Sequence, residues 1–422
     1  MTTGFAKLPS GHVTLCNVSV PACLLGRAGD LVRWDLSLDG GVITDRPGMT
    51  VEMGGAMVLP AFVDMHTHLD KGQIWGRSPN PDGTFAGALG AAGRDQVAFW
   101  TASDLRRRMD FALRGAFVHG TRAIRTHLDS IPPQDAISWP LFAEMQAEWA
   151  GRIDLQAAAL AGCDMVLEDG FITLADRVAA HRGVLGLFTF PMADMAKRLT
   201  RFLALAADRG MDADFHADET MDPQVNTLRQ IAEAVLATGF QGRIVAGHCC
   251  SLSSMPVGEA METLDLVARA GIGIVSLPMC NLYLQDRTAG RTPLRRGVTL
   301  VHEARARGIP VAFASDNTRD PFHAYGDLDM VEVLREATRI AHLDHSSKDW
   351  VQSVLTVPAR MCGMTVPSLD PGSPADLVIF RARSWTEFFA RPQHDRVVLR
   401  GGRAIDRTLP DYAELDDLMR TT

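Results

Sequence analysis

The stretch Met-Val-Leu-Pro-Ala-Phe-Val-Asp-Met-His-Thr-His, residues 57–68, joins an apolar run to a pair of histidines. The apolar run, 57–62, predicts a buried strand. Side chains of a strand alternate between its two faces, so His66 and His68 project to the same side near its end. Two imidazoles placed in this way could share one metal ion. The pair alone is weak evidence, because His-x-His also arises by chance on protein surfaces.

Three later segments each place a metal-ligating or acid–base residue at the end of a predicted strand. These segments are Phe215-His216-Ala217-Asp218-Glu219, Ala246-Gly247-His248 and Phe313-Ala314-Ser315-Asp316. The strands of a parallel barrel direct their carboxyl ends to one mouth, where enzymes of this architecture hold their active sites. The four strand ends together therefore predict a metal site at the mouth of an α/β barrel.

The middle of the chain alternates between predicted strands and amphipathic helices. We predict eight strands, at 58–64, 121–127, 153–160, 184–188, 212–217, 243–248, 272–277 and 310–316. Helical patterns between them include 199–209, 225–238, 260–270 and 300–307. Eight such units over about 300 residues predict a distorted (β/α)8 TIM barrel. A doubly wound open sheet is the alternative, but no glycine-rich dinucleotide fingerprint follows an early strand.

Both ends of the chain are rich in short strands and turn signals. His12-Val13-Thr14-Leu15 near the start and Ala375-Asp376-Leu377-Val378-Ile379-Phe380 near the end are examples. We expect residues 1–56 and 365–422 to form one small β-sandwich domain, with residues 57–364 forming the catalytic barrel.

The amino-acid composition is typical of a globular enzyme and disfavours several other classes of protein. Of 422 residues, 46% are hydrophobic and 22% are charged, as in an ordinary globular enzyme. The net charge of −8 disfavours nucleic-acid and anionic-membrane partners, and no apolar run approaches the roughly 20 residues that span a bilayer. The first nine residues lack the apolar segment of a signal peptide, and the seven cysteines include no Cys-x-x-Cys pair. We expect a cytoplasmic protein with reduced thiols.

The residue types at the strand ends suit one divalent metal ion. We predict that His66, His68, His216 and Asp316 bind it. Zn(II) and Fe(II) both accept imidazole and carboxylate ligands and leave a position open for water. Such an ion lowers the pKa of bound water from about 16 to about 7. Asp316 could then also accept the proton of the attacking water.

Glu219 and His248 are predicted to be catalytic groups. Glu219 follows the fifth strand and could protonate a leaving amine or a ring nitrogen if an enclosed site raises its pKa. His248 could be a fifth metal contact or a donor that polarises the substrate. We favour the second role, because four ligands are already present.

Four further residues are predicted to contact substrate: Lys71, Cys163, Asn317 and Phe322. The Asn317 amide could orient a heterocycle, Lys71 could contact substrate or hold a carboxylate, and Phe322 could stack on the ring. Cys163 after the third strand and His127 at the end of the second could both line the pocket. For Cys163 and His127, considered one at a time, core packing is the simpler role.

Residues 59–71, Leu-Pro-Ala-Phe-Val-Asp-Met-His-Thr-His-Leu-Asp-Lys, resemble the first-strand motif of the amidohydrolase superfamily. His-Ala-Asp-Glu at 216–219, Gly-His at 247–248 and Ala-Ser-Asp-Asn at 314–317 follow in that superfamily's order. Over nearly its whole length the chain resembles the cytosine deaminase branch. The resemblance implies a distorted barrel, a β-sandwich built from both termini, and one metal on the four ligands named above. It also implies catalytic roles for Glu219 and His248, and a homo-oligomer.

Other features bear on the substrate. Residues 184–191 contain no lysine, whereas binuclear members that open cyclic amides use a carboxylated lysine on the fourth strand. Residues 160–164, Leu-Ala-Gly-Cys-Asp, replace a Phe-Pro-Gln-type segment whose glutamine reads the pyrimidine edge in cytosine deaminases, which leaves room near Cys163. The combination of Lys71 and Asn317 resembles the one in hydrolases that act on N-isopropylammelide.

We therefore predict a metal-dependent hydrolase that removes an exocyclic amine from a nitrogen heterocycle and releases ammonia. A cytosine-like pyrimidine or a related ring is the first expectation for this small-molecule substrate. An N-alkylaminotriazine hydrolase and a deaminase of pterins or other bicyclic rings are the alternatives. Hydrolysis of a cyclic amide is disfavoured by the missing lysine.

Overall fold

The computed structural model describes residues 11–420. Its strands are β1 (Val13–Pro21), β2 (Leu31–Asp39), β3 (Val42–Thr44), β4 (Met49–Glu52), β5 (Met57–Pro60), β6 (Phe62–Thr67), β7 (Thr121–Asp129), β8 (Asp154–Gly162), β9 (Leu185–Phe188), β10 (Ala213–Ala217), β11 (Ile244–His248), β12 (Ile272–Ser276), β13 (Val311–Phe313), β14 (Leu377–Phe380), β15 (Val397–Arg400) and β16 (Arg403–Ala404). Its α-helices are α1 (Phe85–Phe99), α2 (Ala102–His119), α3 (Asp135–Trp149), α4 (Gly170–Ala180), α5 (Met195–Asp208), α6 (Thr227–Thr238), α7 (Val257–Arg269), α8 (Pro278–Leu284), α9 (Val301–Ala306), α10 (Met330–Ala341), α11 (Thr356–Cys362) and α12 (Trp385–Ala390).

Strands β6 to β13 form a parallel sheet in which each strand pairs with its neighbour along the chain. An isolated parallel bridge between Thr67 and Asp316 closes this sheet, and the Asp316 amide donates to the His66 carbonyl at 2.9 Å. Helices lie between successive strands and bury their apolar faces in one core with them. The predicted (β/α)8 barrel is confirmed.

A separate sheet contains strands from both ends of the chain. Its order is β16-β15-β14-β5-β1-β2-β3, and β4 also pairs with β1. Leu15 and Leu36 from the first part of the chain share a buried apolar cluster with Leu377 and Leu399 from the last part. The two termini therefore meet in one sheet, as the sequence predicts. The domain limits at 56 and 365 stay a prediction.

The prediction of one strand at 58–64 is wrong in detail. Strand β5 belongs to the terminal sheet, where it pairs with β14, and the barrel begins only at Phe62. Pro60 has no N–H to donate to a continuing ladder, and the chain changes sheets directly after it. Residues on both sides of the break are buried, so the apolar run carries no sign of the change.

Side-chain caps define where several helices begin. Thr84 and Thr101 accept a backbone N–H at the starts of α1 and α2, and Asn226 and Asp329 do the same for α6 and α10. Such caps satisfy amide groups that have no partner within the helix. Helices α5, α6, α7 and α9 occupy the positions where helical patterns were predicted. None of the helices between residues 11 and 420 is long and apolar enough to cross a membrane.

Candidate metal centre and active site

Barrel closure brings the ends of the first and last barrel strands together. Asp316 Oδ1 lies 3.3 Å from His68 Nε2 and 3.6 Å from His66 Nε2. The side chains of His66 and Asp316 are fully buried, and that of His68 is 3% exposed. Two histidines and one carboxylate that the sequence separates by about 250 residues therefore share one enclosed space.

His216, in β10, completes this group. Its Nε2 lies 3.3 Å from His68 Nε2. Two imidazole nitrogens facing each other at this distance cannot both carry a hydrogen between them, whereas a cation bound by both lone pairs removes the conflict. His66, His68, His216 and Asp316, the four residues predicted as ligands, converge on this space.

The polar atoms of this group fit a divalent ion. Within the described residues, both nitrogens of His66 and both carboxylate oxygens of Asp316 are buried and make no hydrogen bond. Burial, followed by neighbouring charged or imidazole groups, lowers the pKa of His66, His68 and His216 well below the usual value. Neutral imidazole is the form that binds metal. A buried polar cluster of this kind is costly without a ligand, and a divalent cation would satisfy it.

Three residues at the strand ends of this site have left-handed backbone angles. Asp218, His248 and Asp316 have φ values of 53°, 67° and 62°. Non-glycine residues adopt such angles uncommonly, and they cluster at functional sites. The turn at Asp316 also ends β13 at Phe313, so the predicted strand 310–316 is shorter in the structure.

Glu219 lies against His248, with Oε1 3.4 Å from His248 Nδ1 and a side chain that is only 7% exposed. Burial is the main cause that raises the pKa of Glu219 well above its ordinary value, and the Asp316 carboxylate adds to it. Lys71 partly offsets the rise. A raised pKa favours the protonated acid, which is the form that can donate a proton.

A second residue, Asn281, contacts the same ring nitrogen of His248 as Glu219 does. Asn281 Nδ2 lies 3.0 Å from His248 Nδ1, and His248 Nε2 is buried without a hydrogen bond in the described chain. Burial lowers the pKa of His248 to about 4, so the ring is neutral. The sequence predicts no role for Asn281, which lies on α8. Its spacing from the other site residues matches no known catalytic or metal-binding motif.

Lys71 and Phe322 lie side by side, and their substrate-binding roles stay predictions. Lys71 Nζ is 3.0 Å from Asp129 Oδ1 and 5.1 Å from the centre of the Phe322 ring. Burial lowers the pKa of Lys71, but Asp129 and Asp70 outweigh this effect and the pKa is raised. Two roles were considered for Lys71, contact with substrate and contact with a carboxylate. In this structure Lys71 contacts the carboxylate of Asp129.

Asn317 is also tied to a carboxylate. Its Nδ2 donates to Asp320 Oδ2 at 2.6 Å, and the thiol of Cys280 lies 3.7 Å from its Oδ1. Burial raises the pKa of Asp320 to about 7, with the hydrogen bond from Asn317 opposing the rise. The substrate-binding role of Asn317 stays a prediction.

Aromatic side chains form a group beside the centre. Phe322 packs edge-on against Phe85 at 5.5 Å, and Phe85 stacks on Phe188 at 6.0 Å. Phe188 ends β9 and is the register partner of His216 on β10. Phe188 was missed because a phenylalanine that ends a buried strand is typical of core packing.

Cys163 lies in the turn after β8 and is fully buried. Its thiol is 3.7 Å from the Phe190 carbonyl and from the Met192 sulfur. Neither neighbour belongs to the group of candidate ligands, so the substrate role of Cys163 stays a prediction. His127, in contrast, lies inside the histidine cluster, with its ring centre 4.0 Å from that of His66.

Gly247 gives a first test of this geometry. A Cβ at this position would lie 2.8 Å from Cε1 and 3.1 Å from Nδ1 of His66. We expect Gly247→Ala to displace the His66 ring and to weaken metal binding about 10–100-fold, measured by titration with a chelator. Gly93→Ala is the control, because a Cβ there meets nothing within 4 Å. Unchanged metal affinity in Gly247→Ala would show that His66 is not a ligand.

Known proteins resemble this chain in sequence. Residues 133–406 match the amidohydrolase family. The chain is 50% identical to pterin deaminase from Rhizobium rhizogenes over 435 aligned positions, covering 99% of this chain and 100% of the relative. It is 25% identical to N-isopropylammelide isopropyl amidohydrolase from Pseudomonas sp. strain ADP, covering 85% and 87% of the two chains.

A solved structure shares the fold over almost the whole length. The 5-methylcytosine deaminase from Klebsiella pneumoniae superimposes with a TM-score of 0.81 at 24% identity, covering 94% of this chain and 98% of the other. The sequence matches confirm the expected resemblance to the superfamily, and the solved structure shows the same fold. On the family match and the 50% identity, this chain belongs to the amidohydrolase family.

Proposed function

We propose that the protein is a metal-dependent hydrolytic deaminase that removes the exocyclic amine of a pterin or a similar bicyclic heterocycle as ammonia. The observation that carries the reaction class is the buried Glu219 against His248, whose ligand atom lies within 4.8 Å of those of His66 and Asp316 in the candidate ligand group. An acid with a raised pKa next to such a group suits protonation of a ring nitrogen during hydrolysis.

The four ligand residues would hold one divalent ion, Zn(II) or Fe(II). When bound, such an ion supplies a water molecule whose pKa is lowered toward neutrality. The donor set of three imidazoles and one carboxylate suits either metal. Metal analysis of the purified protein distinguishes the two.

The protein's own groups divide the proton transfers among them. Asp316 accepts the proton of the water that attacks the carbon bearing the amine, and Glu219 protonates the adjacent ring nitrogen. His248 Nε2, which is buried and makes no hydrogen bond to the described chain, donates to the oxygen that becomes the ring carbonyl. After the C–O bond has formed, Asp316 passes its proton to the amine, the C–N bond breaks and ammonia leaves. The Glu219 carboxylate takes the remaining hydroxyl proton as the ring carbonyl forms, so both groups return to their starting states.

The aromatic group supports a flat ring as the substrate. Phe85, Phe188 and Phe322 surround one side of the mouth, and Lys71 lies over the Phe322 ring. Aromatic faces stack on planar heterocycles, and a fused ring offers more surface for such contact. The segment 160–164 has no glutamine to read a pyrimidine edge.

Similarity to known enzymes favours the bicyclic alternative over the cytosine-like ring that we predicted first. The relative at 50% identity is a pterin deaminase, whereas the relative that acts on N-isopropylammelide is 25% identical. We therefore propose a pterin as the first substrate to test. Cytoplasmic location and assembly into a homo-oligomer stay predictions.

A substrate panel tests the proposal. We expect metal-loaded protein to release ammonia from pterin, with slower or no release from cytosine, and no isopropylamine from N-isopropylammelide. Efficient ammonia release from cytosine alone would refute the bicyclic assignment. Release of isopropylamine, without ammonia from any ring, would refute the deaminase assignment.

A further inference from the structure

His127 is a buried histidine at the centre that the proposed reaction does not use. It lies in β7, and its side chain is 1% exposed. Its ring centre is 4.0 Å from that of His66 and 4.6 Å from that of His216. It therefore packs against two of the four candidate metal ligands at once.

A carboxylate lies next to one nitrogen of this ring. His127 Nε2 lies 3.1 Å from Asp214 Oδ1. Asp214 is in turn paired with Arg125, whose Nη1 donates to Asp214 Oδ2 at 2.9 Å. The side chains of Asp214 and Arg125 are each 1% exposed, so this is a fully enclosed ion pair.

Strand periodicity places this pair directly beneath the centre. Arg125 precedes His127 by two residues on β7, and Asp214 precedes His216 by two residues on β10. Residues two apart on a strand share a face. Arg125 and Asp214 therefore form the layer of the barrel interior below the histidines.

The layer is anchored to the rest of the barrel. Arg125 Nε donates to Gln156 Oε1 at 2.7 Å, and Gln156 Nε2 donates to the Cys362 carbonyl at 3.3 Å. An unbroken series of polar contacts thus connects His127 to α11. The Arg125–Asp214 pair is thus held in place, and its carboxylate limits the orientations open to the adjacent His127 ring.

We propose that His127 is a positioning residue, held by the Asp214–Arg125 pair, whose ring keeps His66 and His216 in the geometry that binds metal. The inference rests on the metal centre of the proposed function. Interiors are closely packed, so loss of this ring leaves space into which the two ligands can move. Residues that orient metal ligands typically change metal affinity about 10–100-fold when they are replaced.

The test compares two buried histidines in similar surroundings. His119 also lies between a carboxylate and an arginine, with Nε2 2.8 Å from Asp327 Oδ2 and Nδ1 2.9 Å from Arg396 Nη2. Among the described residues, two groups lie close enough together to hold a metal ion: His66, His68, His127 and His216, and His66, His248 and Asp316. His119 belongs to neither group. His119→Gln therefore reports the general cost of losing a buried, paired histidine.

We expect His127→Gln to weaken metal binding about 10–100-fold in competition with a chelator and to change the absorption spectrum of the Co(II)-loaded protein. His119→Gln should lower thermal stability but leave metal affinity and the Co(II) spectrum unchanged. Should His127→Gln fail to fold, Asp214→Asn keeps the imidazole and is expected to shift both readouts in the same direction.

Two results would overturn the inference. Wild-type metal affinity and spectrum in a folded His127 or Asp214 variant would show that the ring does not position the ligands. A crystal structure of metal-loaded protein with a nitrogen of His127 bonded to the ion would make His127 a ligand instead. A wild-type protein that binds no divalent metal would refute the proposed function, a distinct outcome.

Discussion

His216→Ala is expected to abolish both metal binding and turnover. His216 Nε2 lies 3.3 Å from His68 Nε2. Alanine at this position removes the imidazole nitrogen that would bind the metal and leaves a buried gap between the remaining ligands. Loss of the ion removes the acidified water on which hydrolysis depends. Metal analysis after gel filtration should fall from about one ion per chain to near none, and ammonia release should fall to background.

The control for this variant is His345→Ala. The His345 side chain is 94% exposed and lies outside the candidate ligand groups, so its removal should leave metal content and turnover unchanged. A His216→Ala protein that still holds one tightly bound ion per chain would show that His216 is not a ligand.

Glu219→Gln is expected to keep the metal but to lower turnover by about 10²–10⁴-fold, the range that general acid–base groups contribute. Glutamine has nearly the same shape and cannot give up a proton. Because Glu219 is not among the ligand residues, metal content should match that of the wild type. Glu233→Gln, at a half-exposed position on α6, is the control.

The pH dependence of the wild type should report the same group. Burial raises the pKa of Glu219 well above its ordinary value, and only the protonated form can donate to the ring nitrogen. The value of kcat/KM should therefore fall as pH rises through that pKa. A Glu219→Gln protein with full activity, or a wild type with no loss at alkaline pH, would contradict the role of Glu219 as the acid.

Local periodicity and strand ends were sufficient to predict that His66, His68, His216 and Asp316 lie near one another. His66 and His68 share a face because they are two apart on a strand, and this holds whatever the rest of the chain does. The nearness of Asp316 depends on barrel closure through its bridge to Thr67. That contact was predictable only because eight strand–helix units imply a closed barrel.

Other features needed the three-dimensional structure. His127 gave no pattern beyond a polar residue at a strand end, and its neighbour Asp214 is distant in sequence. The contact of Asn281 with His248 likewise joins two separate strand–helix units. The change of sheet after Pro60 was hidden because both flanking strands are buried. In each case the decisive information is a contact between distant segments, which composition and periodicity do not encode.

The central claim is that the protein deaminates a heterocycle by hydrolysis. The most direct test follows the oxygen of water and the nitrogen of the amine in the same reaction. Metal-loaded protein would be incubated with pterin in isotopically labelled water, with product mass and ammonia measured together. We predict one labelled oxygen in the ring product for each ammonia released, and about 10²–10⁴-fold slower formation of both by the Glu219→Gln protein. An unlabelled product, or metal-loaded wild type that releases no ammonia from pterin or any other amino-heterocycle, would contradict hydrolytic deamination at this centre.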